Sequence, residues 1–213
     1  LLLLAKNFQG YQNLIKLTSI AHLEGHYYKP RLDRDLLSRY SKGLIATTAC
    51  LASETSRAIE EKDFDKLRQT VETYREIFGK GNYYLELQHH PSIPEQQVLN
   101  GHLRDLAEET KLPLVATNDV HYVTSDDRVA HDMLVCIKTG KLVSDGDRMI
   151  YAGDFSLKSP EEMGEAFADV PEAVSNTLKI AALTELSIPL DQKNLLPQFK
   201  LPASETEESY LKG

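Results

Sequence analysis

Short apolar segments alternate with longer amphipathic ones along most of this 213-residue chain. The apolar segments are residues 1–5, 43–48, 83–88 and 114–116, and apolar residues between them recur at helical spacing. This alternation is typical of a sheet of parallel strands with surrounding helices, so we predict an α/β fold with a buried first strand. Four strands are few for a closed barrel. We therefore expect an incomplete barrel with an exposed sheet edge, whose missing part lies before residue 1.

The fourth apolar segment ends in a polar cluster, within the stretch LPLVATNDVHY at residues 112–122. Functional groups of α/β proteins gather at the carboxyl ends of such strands. If the backbone stays extended there, Asp119 and His121 project from the same face. A carboxylate and an imidazole together form half of a metal site or a general acid/base pair. Alternatively, Asp119 caps the next helix and His121 is an ordinary surface residue.

Other candidate residues follow the second and third strands. Cys50 ends the second strand, where it is either a small buried hydrophobic residue or a soft ligand to a metal shared with Asp119 and His121. His89 and His90 follow the third strand, and because they are adjacent, at most one faces the site. Pro91 and the helix after it favour a loop role over metal binding for this pair. Glu86, inside that strand, is predicted to hydrogen-bond within the barrel rather than to catalyse.

Composition excludes several classes of protein. A net charge of −8 argues against a nucleic-acid clamp, which needs clustered basic residues. No apolar stretch approaches the roughly 18 residues of a membrane span. Two cysteines provide no disulfide framework and suit a reducing cytoplasm. The sequence has no Gly-rich phosphate loop, GxSxG, CxxC or HExxH motif, which argues against P-loop enzymes, α/β-hydrolases and zinc fingers.

Several segments together resemble a known family. The chain is similar, in order and over almost its whole length, to the PHP domain of bacterial DNA polymerase III alpha subunits. The segments that carry the resemblance include LLLLAKNFQGY (1–11), AHLEGHYYKPRLD (21–33), GLIATTACL (43–51), VATNDVHY (115–122), AHDMLVCIKTGK (130–141), LKSPEEM (157–163) and PEAVSNT (171–177).

The resemblance implies a fold and a metal site. Family PHP domains are distorted barrels of about seven βα units, here the C-terminal two-thirds of one. Metal-binding members hold a cluster of divalent ions, often zinc or manganese, and Cys50, Asp119 and His121 match the last three ligand positions. The earlier ligands would precede residue 1. His90, His131 and Asp132 are candidates for the surrounding shell that positions ligands. One departure is Thr48-Ala49, where the family often has Ser-Gly.

The resemblance also implies domain organisation and function. Residues 1–188 would be the PHP part and residues 189–213, including LPQFKLP (196–202), a linker towards the palm domain. The parent would be a cytoplasmic DNA-directed DNA polymerase, a magnesium-dependent nucleotidyltransferase in DNA replication. Its partners would be DNA, deoxynucleotides, the proofreading exonuclease subunit, the sliding clamp and the clamp loader, with no membrane.

The polymerase's catalytic carboxylates would lie outside this chain, so we expect no catalytic residue here and no activity from the fragment alone. The PHP site would either support 3′–5′ exonuclease activity or be a metal-free structural module that docks the proofreading exonuclease. A free-standing PHP phosphoesterase is the less favoured alternative.

Overall fold

The computed structural model describes residues 1–190 and 199–212. Its one four-stranded sheet, within those ranges, has the order β1-β2-β3-β4. The strands coincide with the four predicted apolar segments and are β1 (Leu2–Ala5), β2 (Leu44–Thr47), β3 (Tyr83–Gln88) and β4 (Leu114–Thr117). The chain is therefore α/β with an open sheet, and the seven-unit barrel remains a prediction.

Three of the strands are parallel, but the first is not. Tyr84 lies opposite Thr47 in the parallel β2–β3 pair, and β3 and β4 are also parallel. In contrast, β1 is antiparallel to β2, with Ala5 opposite Leu44. The prediction of a wholly parallel sheet is wrong at β1, since β1 and β2 run in opposite directions. The chain consequently returns to the end of β1 that it left.

Helices occupy the amphipathic segments, and most begin at a side-chain cap. Asn7, Asp33, Ser53 and Asp63 each accept a hydrogen bond from a backbone N–H of the following first turn. Ser159 and Glu162 form the capping box that their spacing predicts. The helices are α1 (Phe8–Leu23), α2 (Arg34–Arg39), α3 (Glu54–Glu60), α4 (Phe64–Phe78), α5 (Pro94–Thr110), α6 (Arg128–Thr139), α7 (Pro160–Ala166), α8 (Pro171–Leu183) and α9 (Glu207–Lys212).

The core lies on both faces of the sheet. On one face, strand residues such as Leu85, Leu87 and Ala116 join a large cluster with apolar residues of α4 and α5. On the other face, alternate strand residues form a smaller cluster with α8, made of Ile45, Tyr84, Val115 and Ile180. Because β2 and β3 are buried on both sides, polar groups on them need partners inside the protein.

The first strand lies at the edge of the sheet. The prediction that it is buried is wrong. Leu2 and Leu4 are 45% and 36% exposed, and β1 is an edge strand of the sheet in the described residues. The predicted linker at residues 189–213 falls partly outside the described residues, at 191–198 and 213, and its described part contains α9. Among the described helices, none is long and apolar enough to cross a bilayer.

Candidate metal centre

The loops after β2, β3 and β4 lie at one edge of the sheet because these strands are parallel. A buried carboxylate links the three strand ends. Glu86 on β3 accepts hydrogen bonds from Thr47 Oγ1 on β2, from Thr117 Oγ1 on β4 at 2.6 Å, and from Gln88 Nε2 at 3.1 Å. Glu86 therefore hydrogen-bonds within the sheet, as predicted, and aligns the loops that carry the candidate site.

Asp119 turns the chain sharply after β4. The strand ends at Thr117, and Asp119 has a left-handed backbone with φ of 53°. The condition of an extended backbone from Asp119 to His121 is therefore not met, and aspartate is among the few residues that adopt this left-handed conformation readily. The turn still brings the two side chains together, since His121 Nδ1 lies 2.8 Å from the Asp119 carbonyl oxygen and 4.0 Å from its Oδ1.

The alternative role of Asp119 as a helix cap is not found. The turn that leads into α6 is capped by Thr124 and Asp127, which form a capping box. His121 is an exposed residue, but its ring, with 26% of the side chain accessible, packs against Tyr151 and Phe155. Both residues of the motif therefore face the same site.

His90 completes this group from the loop after β3. Its side chain is 3% exposed, and its Nε2 lies 3.5 Å from Asp119 Oδ2. Burial lowers the pKa of His90, with Asp119 opposing that effect, so its imidazole is neutral at pH 7, the form that binds metals. The neighbouring His89 ring instead contacts Phe167, at 6.1 Å between centroids. Only His90 of the pair faces the site, in agreement with the prediction that at most one of two adjacent histidines does so.

An aromatic wall, formed by Tyr151 and Phe155, lies against the histidines. The Phe155 ring is 4.4 Å from His90 and 4.9 Å from His121, and Tyr151 is 4.8 Å from His121. The backbone holds this wall in place, since His121 N donates to Phe155 O at 2.9 Å. Sequence reasoning missed both aromatic residues, because they lie in an irregular segment without periodicity.

The two candidates on α6 differ in their contacts. The His131 ring lies 5.6 Å from His121 and 5.0 Å from Tyr151, so it borders the site. Asp132 instead accepts a hydrogen bond from Arg148 at 2.6 Å, which lowers the pKa of its carboxyl. The structure therefore places His131 beside the group, whereas Asp132 forms an ion pair with Arg148.

Cys50 lies at the same edge with a free, half-buried thiol. Within residues 1–190 and 199–212, no group of three His, Cys, Asp or Glu side chains is arranged to hold a metal. The structure thus brings His90, Asp119 and His121 close together, and does not join Cys50 to them. The predicted ligand set of Cys50, Asp119 and His121 remains a prediction.

Comparison with known proteins agrees with the family resemblance. A PHP-domain model matches residues 1–90. The chain is 43% identical over 203 residues to DNA polymerase III subunit alpha of Borreliella burgdorferi, covering 95% of this chain and 18% of that protein. It is 40% and 38% identical to the subunits of Treponema pallidum and Thermus aquaticus, covering all of this chain and 18% of each.

The chain belongs to the PHP region of the DNA polymerase III alpha-subunit family. It spans about 18% of the length of each of these relatives. This chain has Thr48-Ala49 where the family resemblance implies Ser-Gly, and the backbone of Ala49 is left-handed, with φ of 62°. Glycine adopts this conformation without the cost of about 1–2 kcal/mol that a Cβ imposes.

The chemistry of this PHP edge fits a divalent metal in part. Imidazole nitrogen, carboxylate oxygen and thiolate sulfur are the ligands that zinc prefers. Both ring nitrogens of the buried His90 lack a hydrogen-bond partner within the described residues, as expected for a donor atom facing a ligand. No three His, Cys, Asp or Glu side chains of the described residues are placed to bind one metal ion together, so a complete site needs further ligands.

Proposed function

We propose that this chain is the PHP region of the catalytic alpha subunit of a bacterial replicative DNA polymerase III, and that it contributes to a metal-binding, phosphoesterase-like site. The convergence of His90, Asp119 and His121 at the carboxyl edge of the parallel strands supports the site. Similarity to alpha subunits along nearly the whole chain supports the parent protein. That parent would perform template-directed DNA synthesis in the cytoplasm, with magnesium bound elsewhere in the subunit.

The proposed PHP activity is 3′–5′ exonuclease cleavage of phosphodiesters. Asp119, His121 and Cys50 would hold zinc or manganese, together with ligands from outside this chain. The metal, when bound, would neutralise phosphate charge and lower the pKa of a water. Tyr151 and Phe155 would orient the His121 ring and exclude solvent from it.

The metal content of the complete subunit tests this proposal. We expect the purified protein to hold transition metal, measured by plasma mass spectrometry, and Asp119→Ala with His121→Ala to lose it. A matched control is Asp105→Ala with His22→Ala, which removes the same two residue types from exposed positions on α5 and α1. Unchanged metal content in the first double variant would refute the metal site.

A metal-free docking module is the second candidate function, and the surface of α6 supports it. Val129, Leu134 and Ile137 are 65%, 63% and 76% exposed, which is an unusual apolar face for a monomer. This function would place the proofreading exonuclease, or the other proposed holoenzyme partners, against the domain. It predicts that the purified subunit contains no metal and that chelation leaves its thermal unfolding unchanged.

A free-standing PHP phosphoesterase is less well supported. Similarity to polymerase alpha subunits continues well beyond the residues that match the PHP model, over 203 residues in the Borreliella burgdorferi subunit. The domain boundary at residue 188 and the linker role of residues 189–213 belong to the proposal. A limited-proteolysis site within residues 189–213 of the complete subunit would support them.

A further inference from the structure

We propose that His90 is an additional metal ligand, and that its Nε2 and Asp119 Oδ2 bind the same divalent ion. This inference rests on the proposed metal site and adds a ligand to it. Family resemblance assigns ligand positions to Cys50, Asp119 and His121, whereas His90 was only a candidate for the surrounding shell. The geometry of the His90–Asp119 pair points to direct binding.

The separation of the two donor atoms suits joint coordination better than a hydrogen bond. His90 Nε2 and Asp119 Oδ2 are 3.5 Å apart, and the ring nitrogen makes no hydrogen bond within the described residues. Charge-assisted N–H···O bonds are about 2.7–2.9 Å long. Two ligands bound tetrahedrally at about 2.1 Å from one zinc lie about 3.4 Å apart. The observed spacing is thus that of two co-ligands.

The burial of His90 supports the same conclusion. The side chain is 3% exposed, so an unpartnered ring nitrogen there is destabilising unless a ligand satisfies it. His121 shows the complementary arrangement, because its Nδ1 lies 2.8 Å from the Asp119 carbonyl oxygen. That contact holds one nitrogen of His121 and leaves Nε2 available, as is usual in a ligating histidine. Asp119 therefore stands between two imidazoles.

The position of His90 is set by contacts of its backbone carbonyl oxygen and of its ring. Its carbonyl oxygen accepts hydrogen bonds from Ile93 N at 3.0 Å and from Gln97 Nε2 at 3.1 Å, at the start of α5. Its ring packs on Phe155 at 4.4 Å. These contacts keep the ring aimed at Asp119 rather than into solvent, so the donor atom is organised before an ion binds.

The test compares His90→Gln with His89→Gln in the complete subunit. His89 is the matched control because it is adjacent in sequence but faces Phe167. Metal equivalents are measured after dialysis against a chelator, and the visible spectrum is recorded after replacement with cobalt(II). We expect His90→Gln to retain at least tenfold less metal and to change the cobalt spectrum, and His89→Gln to match the parent. Circular dichroism checks that both variants are folded.

Chemical rescue separates ligation from packing. In His90→Gly, added imidazole should restore metal retention, and pyrrole, a ring of the same size without a free lone pair on nitrogen, should not. Equal rescue by both rings, or parental metal content and spectrum in His90→Gln, would overturn the inference. In those cases loss of metal in the Asp119→Ala, His121→Ala variant would still support the proposed site. A parent subunit without metal would overturn both.

Discussion

Replacing Glu86 by leucine tests whether one buried carboxylate holds the ends of β2, β3 and β4 together. Glu86 is 3% exposed and accepts hydrogen bonds from Thr47, Gln88 and Thr117, so each strand supplies one donor. Leucine has a similar size but no acceptor. All three donors would then lie in a buried environment without their shared partner.

The size of the effect follows from these contacts. Leaving a buried donor without its acceptor costs about 1 kcal/mol at the lower end, or about 3 kcal/mol for the three donors. The net loss is about 3 kcal/mol, which corresponds to about a 150-fold change in an opening equilibrium.

Hydrogen exchange measured by mass spectrometry on the complete subunit detects this local opening. Peptides from β2, β3 and β4 should exchange about two orders of magnitude faster in Glu86→Leu. Glu86→Gln, which keeps the shape and one oxygen acceptor, should cost only about 1 kcal/mol. Glu108→Leu, on the exposed side of α5, should leave exchange unchanged. Less than about a threefold change in Glu86→Leu would refute the linking role of this carboxylate.

Two further predictions concern glycine positions in the backbone and the loss of stability at low pH. Gly10→Ala should lower the free energy of unfolding by about 1–3 kcal/mol, since its Cβ would lie 1.9 Å from Gly43 O. Gly101→Ala on α5, where nothing lies within 4 Å, should instead raise it by up to about 1 kcal/mol in the same denaturation assay. Lys158 lowers the pKa of Asp154 to about 2, so this carboxylate stabilises the fold above its ordinary pKa, and its contribution is lost as pH falls towards 2. Asp154→Asn should therefore reduce the loss of stability between about pH 4 and 2, by less than about 1 kcal/mol because the side chain is 46% exposed. If the free energy of unfolding falls between about pH 4 and 2 as steeply in the variant as in the parent, this prediction is wrong.

Elements determined by local interactions were predictable from the sequence. The bounds of α5 and α8 agree with their prolines and apolar spacing, and the capping box of Ser159 and Glu162 marks the start of α7. The direction of β1 was not predictable in the same way. Strand pairing depends on how a long connection folds back, and the close approach of Gly10 to Gly43 is a contact that periodicity does not reveal.

The candidate site likewise has some features that were predictable from the sequence and others that were not. The motif at Asp119 and His121 was visible because both residues lie at the end of one apolar segment. Their backbone conformation was not, since the left-handed turn at Asp119 replaces the expected extension. His90 reaches them from the preceding strand, and Phe155 from an irregular loop. Sequence position alone therefore could not rank His90 above His131 or Asp132.

Phe155 explains why three segments far apart in sequence form one site. Its ring contacts both His90 and His121, and its carbonyl oxygen accepts the His121 N–H. The left-handed turn at Asp119 then directs its carboxylate between the two imidazoles. Metal affinity depends on how well ligands are held before the ion binds. The loop that carries Phe155 is therefore as important to the proposed centre as the strand ends that supply the donors.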